Sequence, residues 1–203
     1  MISLSGKIWT QQKINKNLVE QAKQDYGLGD FLSQLIISRN YDISEIYGIH
    51  NNQKLKNIFK DDKDYLKASL ILLNSINNNE NICILGDYDV DGACATSLLV
   101  RYFIHINQKH YFYIPDRVTD GYGASKKLFQ KLILKKHKLV IMVDCGSTSN
   151  EAIEYLNKNN IKSIIIDHHE INKPYPKSDV IINPKKEFIK KENSLLCSTA
   201  LTY

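Results

Sequence analysis

The sequence predicts an α/β fold: a mainly parallel five-stranded sheet with helices on both faces, preceded by a helical N-terminal region. Three observations carry this expectation. From Asn81 onward, short runs rich in Ile and Val alternate with longer amphipathic runs, as when strands and helices take turns. The strand-like runs are almost wholly apolar, which suits strands covered on both faces. Each run also ends in a polar tip: GDYDVDG, PDRVTDGYG, DCGS, DHH and NP. Ligands of such sheets gather beyond the carboxyl ends of the strands, so the five tips are expected along one edge.

The elements follow in order. Up to Asn79 the spacing is helical. FLSQLIISRN sets Phe31, Leu32, Leu35 and Ile36 on one face. DDKDYLKASLILLNSI opens with acids suited to a helix N-terminus, then runs Tyr65, Leu66, Ser69, Leu70, Leu73 and Ile76 at helical intervals. The polar NNNEN segment, Asn77 to Asn81, ends that helix and divides a helical region, 1–79, from an α/β domain, 80–203. Strands are predicted over 82–85, 110–114, 139–143, 163–166 and 180–182, with helices over 93–105, 125–136 and 150–159. No internal repeat is present.

With 203 residues, 43% hydrophobic and 24% charged, the chain has the composition of a protein with a proper core. Its formal charge of +5 leans mildly toward a polyanionic partner. Cys83, Cys94, Cys145 and Cys197 form no C-x-x-C pair and read as free thiols in a reducing cytosol. The opening MISLSGKIWTQQKINKN lacks the apolar core of a signal peptide. No run approaches the roughly 20 apolar residues that span a bilayer. The expectation is a cytoplasmic protein without a membrane partner.

GDYDVDG crowds Asp87, Asp89 and Asp91 into seven residues. Like charges that close raise one another's pKa unless a cation sits among them. In an extended backbone, alternate side chains would point the same way. A calcium-binding EF-hand loop opens similarly, but its twelfth position should be Glu and here is Leu98, and a strand-like run precedes it instead of a helix. In VDCGS, Asp144 by itself reads as the cap of the next helix; its place at the same edge as GDYDVDG shifts the reading toward a ligand. In IIIDHHE, Asp167 precedes His168 and His169. A set dominated by carboxylates with an imidazole favours Mn²⁺ or Mg²⁺ over zinc. Arg117 in IPDRVTDGYG is a candidate phosphate clamp, or else a surface ion pair with Asp116 or Asp120. Gly121 and Gly123 would shape a turn that leaves helix N-terminal amides free for an anion. Lys127, Lys131, Lys135 and Lys138 form a helical stripe, usually a solvated face.

With GDYDVDG, IPDR and DGYG, VDCG and DHH in this order, the chain resembles the DHH phosphoesterase superfamily, and within it the single-stranded-DNA exonuclease branch. The likeness runs from about Trp9 to Asn183-Pro184. It implies a Rossmann-like sheet and two ions of Mn²⁺ or Mg²⁺. The implied activity is 5′–3′ hydrolysis of phosphodiester bonds in single-stranded DNA during repair and recombination. Asp87, Asp89, Asp91, Asp144 and His168 would hold metal, with Asp144 between the two ions. Asp144, Asp167, His168 and His169 would form the catalytic set, Asp167 orienting an imidazole and His169 near the scissile phosphate. Arg117, Gly121, Tyr122 and Gly123 would line the substrate side. A helicase and a single-strand-binding protein are candidate partners. The alternatives are a small-substrate relative (an oligoribonuclease or nucleotide phosphatase) and a catalytically silent replication scaffold. The family carries a further metal-ligand aspartate downstream, so the chain reads as truncated after LLCSTALTY.

Overall fold

The computed structural model describes residues 3–8, 10, 13–41, 59, 62–121, 123–133, 136–186 and 195–203. The chain forms two compact units, Met1–Ile58 and Phe59–Tyr203. In the first, α1 (Lys16–Tyr26) is capped by the Asn15 side chain, which accepts from the Asn17 amide at 3.0 Å. It ends at Gly27 in the left-handed conformation. Helix α2 (Asp30–Ser38) buries Ser33, Ile36 and Ile37. Of the face expected from spacing, only Ile36 is buried; Phe31, Leu32 and Leu35 are exposed. The apolar stripe of α2 is wide, and the contact of Ile36 with Ala22 and Leu28 selects which part is covered.

The second unit opens with α3 (Lys63–Asn77), started by Asp62, whose carboxylate accepts from the amides of Asp64 and Tyr65. Then follow β1 (Ile82–Leu85), α4 (Val90–His105), β2 (His110–Tyr113), α5 (Lys126–Ile133), β3 (Leu139–Val143), α6 (Asn150–Lys158), β4 (Lys162–Ile166), β5 (Val180–Ile182) and α7 (Ser198–Thr202). The strands pair in parallel in the order β2-β1-β3-β4-β5. The five-stranded parallel sheet of the sequence analysis is therefore present.

Side chains alternate across it, as strand geometry requires. Cys83, Leu85, Val140, Met142 and Ile165 face one way, against Leu128 and Phe129 of α5 and Ile153 and Leu156 of α6. Ile82, Ile84, Leu139, Ile141, Val143 and Ile164 face the other way. There they meet Ala68 of α3, Ala95, Leu99 and Phe103 of α4, and Leu201 of α7. Helix α3 thus covers the sheet, using Tyr65, Ala68, Ile71, Leu72 and Ile76. Its Leu66, Leu70 and Leu73 are exposed. The helix carries two overlapping apolar stripes, and periodicity alone does not say which one meets the sheet.

The strand order places β1 between β2 and β3. The chain leaves β1 toward one edge and later crosses back to β3, so the loops after these two strands diverge and open a crevice between them. Asp87 and Asp89 follow β1; Asp144 follows β3. No helix among the described residues is long and apolar enough to cross a membrane. The described cysteines are free, Cys83 and Cys145 buried, Cys94 and Cys197 exposed.

Candidate metal centre

The backbone turns sharply after β1. Instead of continuing extended, it enters α4 at Val90, three residues before the expected start. The three aspartates therefore take different stations. Asp87 is buried and accepts from the Tyr88 amide at 2.8 Å. Asp89 is the N-cap of α4, accepting from the Gly92 amide at 2.9 Å. Asp91 lies in the first helical turn and reaches across to α7. Gly92 permits the turn: a Cβ there would stand 2.6 Å from the Asp87 carbonyl oxygen and 2.7 Å from its amide nitrogen. Backbone atoms cannot yield to that.

Asp144 ends β3 at φ 60°, the left-handed region, which costs a residue other than glycine free energy and which Asp tolerates better than most. It does not cap a helix, since α6 starts at Asn150 with Ser149 in the cap position. Its side chain is completely buried, and neither oxygen has a hydrogen-bond partner. His168 Nε2 lies 3.3 Å from Asp144 Oδ1 and 3.6 Å from Asp91 Oδ2. The Ser198 hydroxyl is near enough to favour the ionised form of Asp144, yet it too is buried without a hydrogen-bond partner. Burial, reinforced by the Asp89 and Asp91 carboxylates, pushes Asp144 up to about 7. Asp87 is pushed up as well, by burial first and then by Asp89 and Asp167.

The DHH loop is held from below. Asp167 Oδ1 accepts from the His168 amide (2.8 Å), the His169 amide (3.2 Å) and His169 Nδ1 (2.8 Å). Its Oδ2 accepts from the Ser147 amide at 3.0 Å. Burial opposes ionisation of Asp167, but the Ser147 and His169 bonds outweigh it and hold the carboxyl low. The same bond holds the His169 imidazole up, against its own partial burial, and fixes Nδ1 as the protonated nitrogen. So Asp167 orients the second histidine, while His168 faces the other acids.

Among the described residues, two groups of ligand-type atoms each fall within 4.8 Å: Asp87, Asp89 and Asp144, and Asp144, His168 and His169. They share Asp144. Its two buried, unpartnered oxygens are what a cation would satisfy, and the oxygen-rich donor set with imidazole suits Mn²⁺ or Mg²⁺. The residues present fit such ions.

On the side of β2, Arg117 makes neither of the ion pairs that were the alternative to a phosphate clamp. Its guanidinium lies over the Tyr88 ring, 5.3 Å from the centroid. Asp116 accepts from the amides of Val118 and Thr119. Asp120 accepts from the Tyr113 hydroxyl and pairs with Lys131 at 2.9 Å. Gly121 and Gly123 are both left-handed, but the Leu128 amide in the first turn of α5 is taken by the Ser125 hydroxyl. Tyr122, expected on the substrate side, lies outside the described residues.

Tyr113 first, then Lys131, hold Asp120 down to about 2. A depressed carboxyl stabilises the fold above its ordinary value of 3.8, and this contribution is lost as the pH falls toward about 2. The melting-temperature gap between wild type and Asp120→Asn should therefore close on acidification through that window. A gap that is constant with pH would refute the assignment.

Spacing did not single out Ser147, Asn183, Ser198 or Thr199. Asn183, at the tip of β5, donates to Ser147 Oγ at 2.7 Å and to the His169 carbonyl at 3.0 Å, tying three tips together. The NP dipeptide at a strand end was its only signal.

Residues 81–203 match the family model described as the DHH family, N-terminal domain. The single-stranded-DNA-specific exonuclease RecJ of Bacillus subtilis is 26% identical over 180 residues, covering 88% of this chain and 23% of that protein. The protein of that name from Escherichia coli is 33% identical over 119 residues, 58% of this chain and 21% of its own length. A crystal structure of exonuclease RecJ bound to manganese superposes with a TM-score of 0.63 at 27% identity, over 69% of this chain and 35% of that one. The chain spans about a quarter or less of these curated relatives. The match covers more than half of the chain, β1 through α7, and includes every acid and imidazole of the centre: the chain belongs to the DHH family.

Proposed function

We propose that this chain is the metal-binding part of a 5′–3′ exonuclease that hydrolyses phosphodiester bonds of single-stranded DNA in repair and recombination. Asp144 carries the reading: a fully buried carboxylate without hydrogen-bond partners, on a left-handed backbone, where two groups of ligand-type side chains meet. A bound cation would offset its cost to the fold. Similarity to RecJ proteins, one of them crystallised with manganese, supports Mn²⁺ or Mg²⁺ and the single-strand substrate.

Asp87, Asp89 and Asp144 would hold one ion, and Asp144 and His168 the second, with Asp91 beside His168 although it belongs to neither close group. When bound, the pair supplies Lewis acidity and a water of lowered pKa at the phosphorus. The protein does the rest. Asp167 keeps His169 oriented and favours its charged form, so that Nε2 can offset charge growing on a phosphate oxygen. Arg117, on the Tyr88 ring at the same edge, would take a phosphate of the incoming strand. The turn at Gly121, Tyr122 and Gly123 would border that path. Residues 80–203 would form the phosphoesterase domain of a cytoplasmic enzyme, with a helicase and a single-strand-binding protein as candidate partners.

The test is hydrolysis in Mn²⁺ of end-labelled DNA, as long single strands, short oligonucleotides and blunt duplexes. Mononucleotides released from the 5′ ends of long single strands, with duplexes spared, are expected. Cleavage restricted to short oligonucleotides or mononucleotides would favour the small-substrate alternative. Absence of both hydrolysis and Mn²⁺ binding would favour a silent scaffold.

A further inference from the structure

We propose that Thr199 is a positioning residue for the metal centre, filling one oxygen of Asp91 so that the other is presented to the cation. The inference rests on the metal-dependent reading above. The Asp91 carboxylate bonds a part of the chain far away in sequence, the start of α7. The Ser198 amide donates to Oδ2 at 2.7 Å. The Thr199 amide and hydroxyl both donate to Oδ1, at 2.8 and 2.5 Å. The hydroxyl is also 3.1 Å from the Asp91 carbonyl oxygen, but it has a single proton, and the shorter contact takes it.

The consequence follows from counting lone pairs. A carboxylate oxygen has two in-plane acceptor directions. Thr199 donates twice to Oδ1, which leaves Oδ2 the less occupied oxygen, with the Ser198 amide on it and the Cys197 thiol beside the carboxylate. Oδ2 is also the oxygen 3.6 Å from His168 Nε2, which in turn is 3.3 Å from Asp144 Oδ1. Asp91 is thereby biased to coordinate through Oδ2, on the side of His168.

The test is calorimetric Mn²⁺ titration of wild type, Thr199→Val and Thr199→Ser, with each protein also melted without metal. Valine keeps the volume and the amide and removes the hydroxyl; serine restores the hydroxyl. Loss of an outer partner of a metal ligand typically weakens binding about 10- to 100-fold. A loss of at least about 10-fold is expected for Thr199→Val, with Thr199→Ser close to wild type. Unchanged affinity in Thr199→Val, beside a wild type that binds Mn²⁺, would overturn this inference alone. So would an affinity loss that follows metal-free melting temperature in both variants, which would mark Thr199 as packing. A wild type that binds no Mn²⁺ would overturn the parent reading together with this one.

Discussion

Asp144→Asn should lose measurable Mn²⁺ binding and Mn²⁺-dependent hydrolysis while remaining folded. Asparagine is chosen for two reasons. It accepts the left-handed backbone that Asp144 occupies at φ 60°, so the turn after β3 survives. It also removes the charge at the one side chain common to both groups of ligand-type atoms. A ligand at one hundred times its dissociation constant stabilises a protein by about 2.7 kcal/mol. At about 2–4 °C per kcal/mol for a domain of this size, Mn²⁺ should raise the wild-type melting temperature by roughly 5–10 °C. The variant should show no such rise. Without metal it should melt at or above the wild-type temperature, because a buried carboxylate with no partner destabilises the fold. A variant that still gains thermal stability from Mn²⁺ would remove Asp144 from the centre.

The fold was legible because its signals are strong and local. Strands β1, β3 and β5 begin and end where ICIL, LVIMV and VII predict, since all-apolar runs between polar segments leave little choice. The start of α4 was missed because the capping role of Asp89 was hidden in an acidic motif that reads as alternation. Which face of α2 or α3 is buried depends on what lies opposite, and a wide apolar stripe does not encode that. The loop acids and histidines were visible as clusters of costly residue types at strand ends. Ser147, Asn183 and Thr199 were not, because an ordinary polar residue gains meaning only when folding sets it against a buried carboxylate or loop. The sequence left Arg117 open between a phosphate clamp and an ion pair for a related reason. Nearby acids in sequence looked like its counter-ions, but the turn spends Asp116 on its own amides and Asp120 on Tyr113 and Lys131.

Asp167→Ala should be the most destabilising single change at the site. Asp167 is buried to 1% exposure and accepts four hydrogen bonds, three from backbone amides and one from His169 Nδ1. Removing it leaves donors of two loops without an acceptor where water barely reaches. The loss should be on the order of 4 kcal/mol, or roughly 10 °C in melting temperature. Asp167→Asn should lose about half as much: its oxygen can serve the histidine side, but its NH₂ then faces the Ser147 amide, donor against donor. The pH dependence has a fixed sign. A carboxyl held below its ordinary value contributes fully above that value, 3.8, and loses its contribution as pH falls through the folded-state value. The gap between wild type and Asp167→Ala should therefore narrow in acid. A melting temperature for Asp167→Ala within about 2 °C of wild type at neutral pH would mean that the loop is held by something other than this carboxylate.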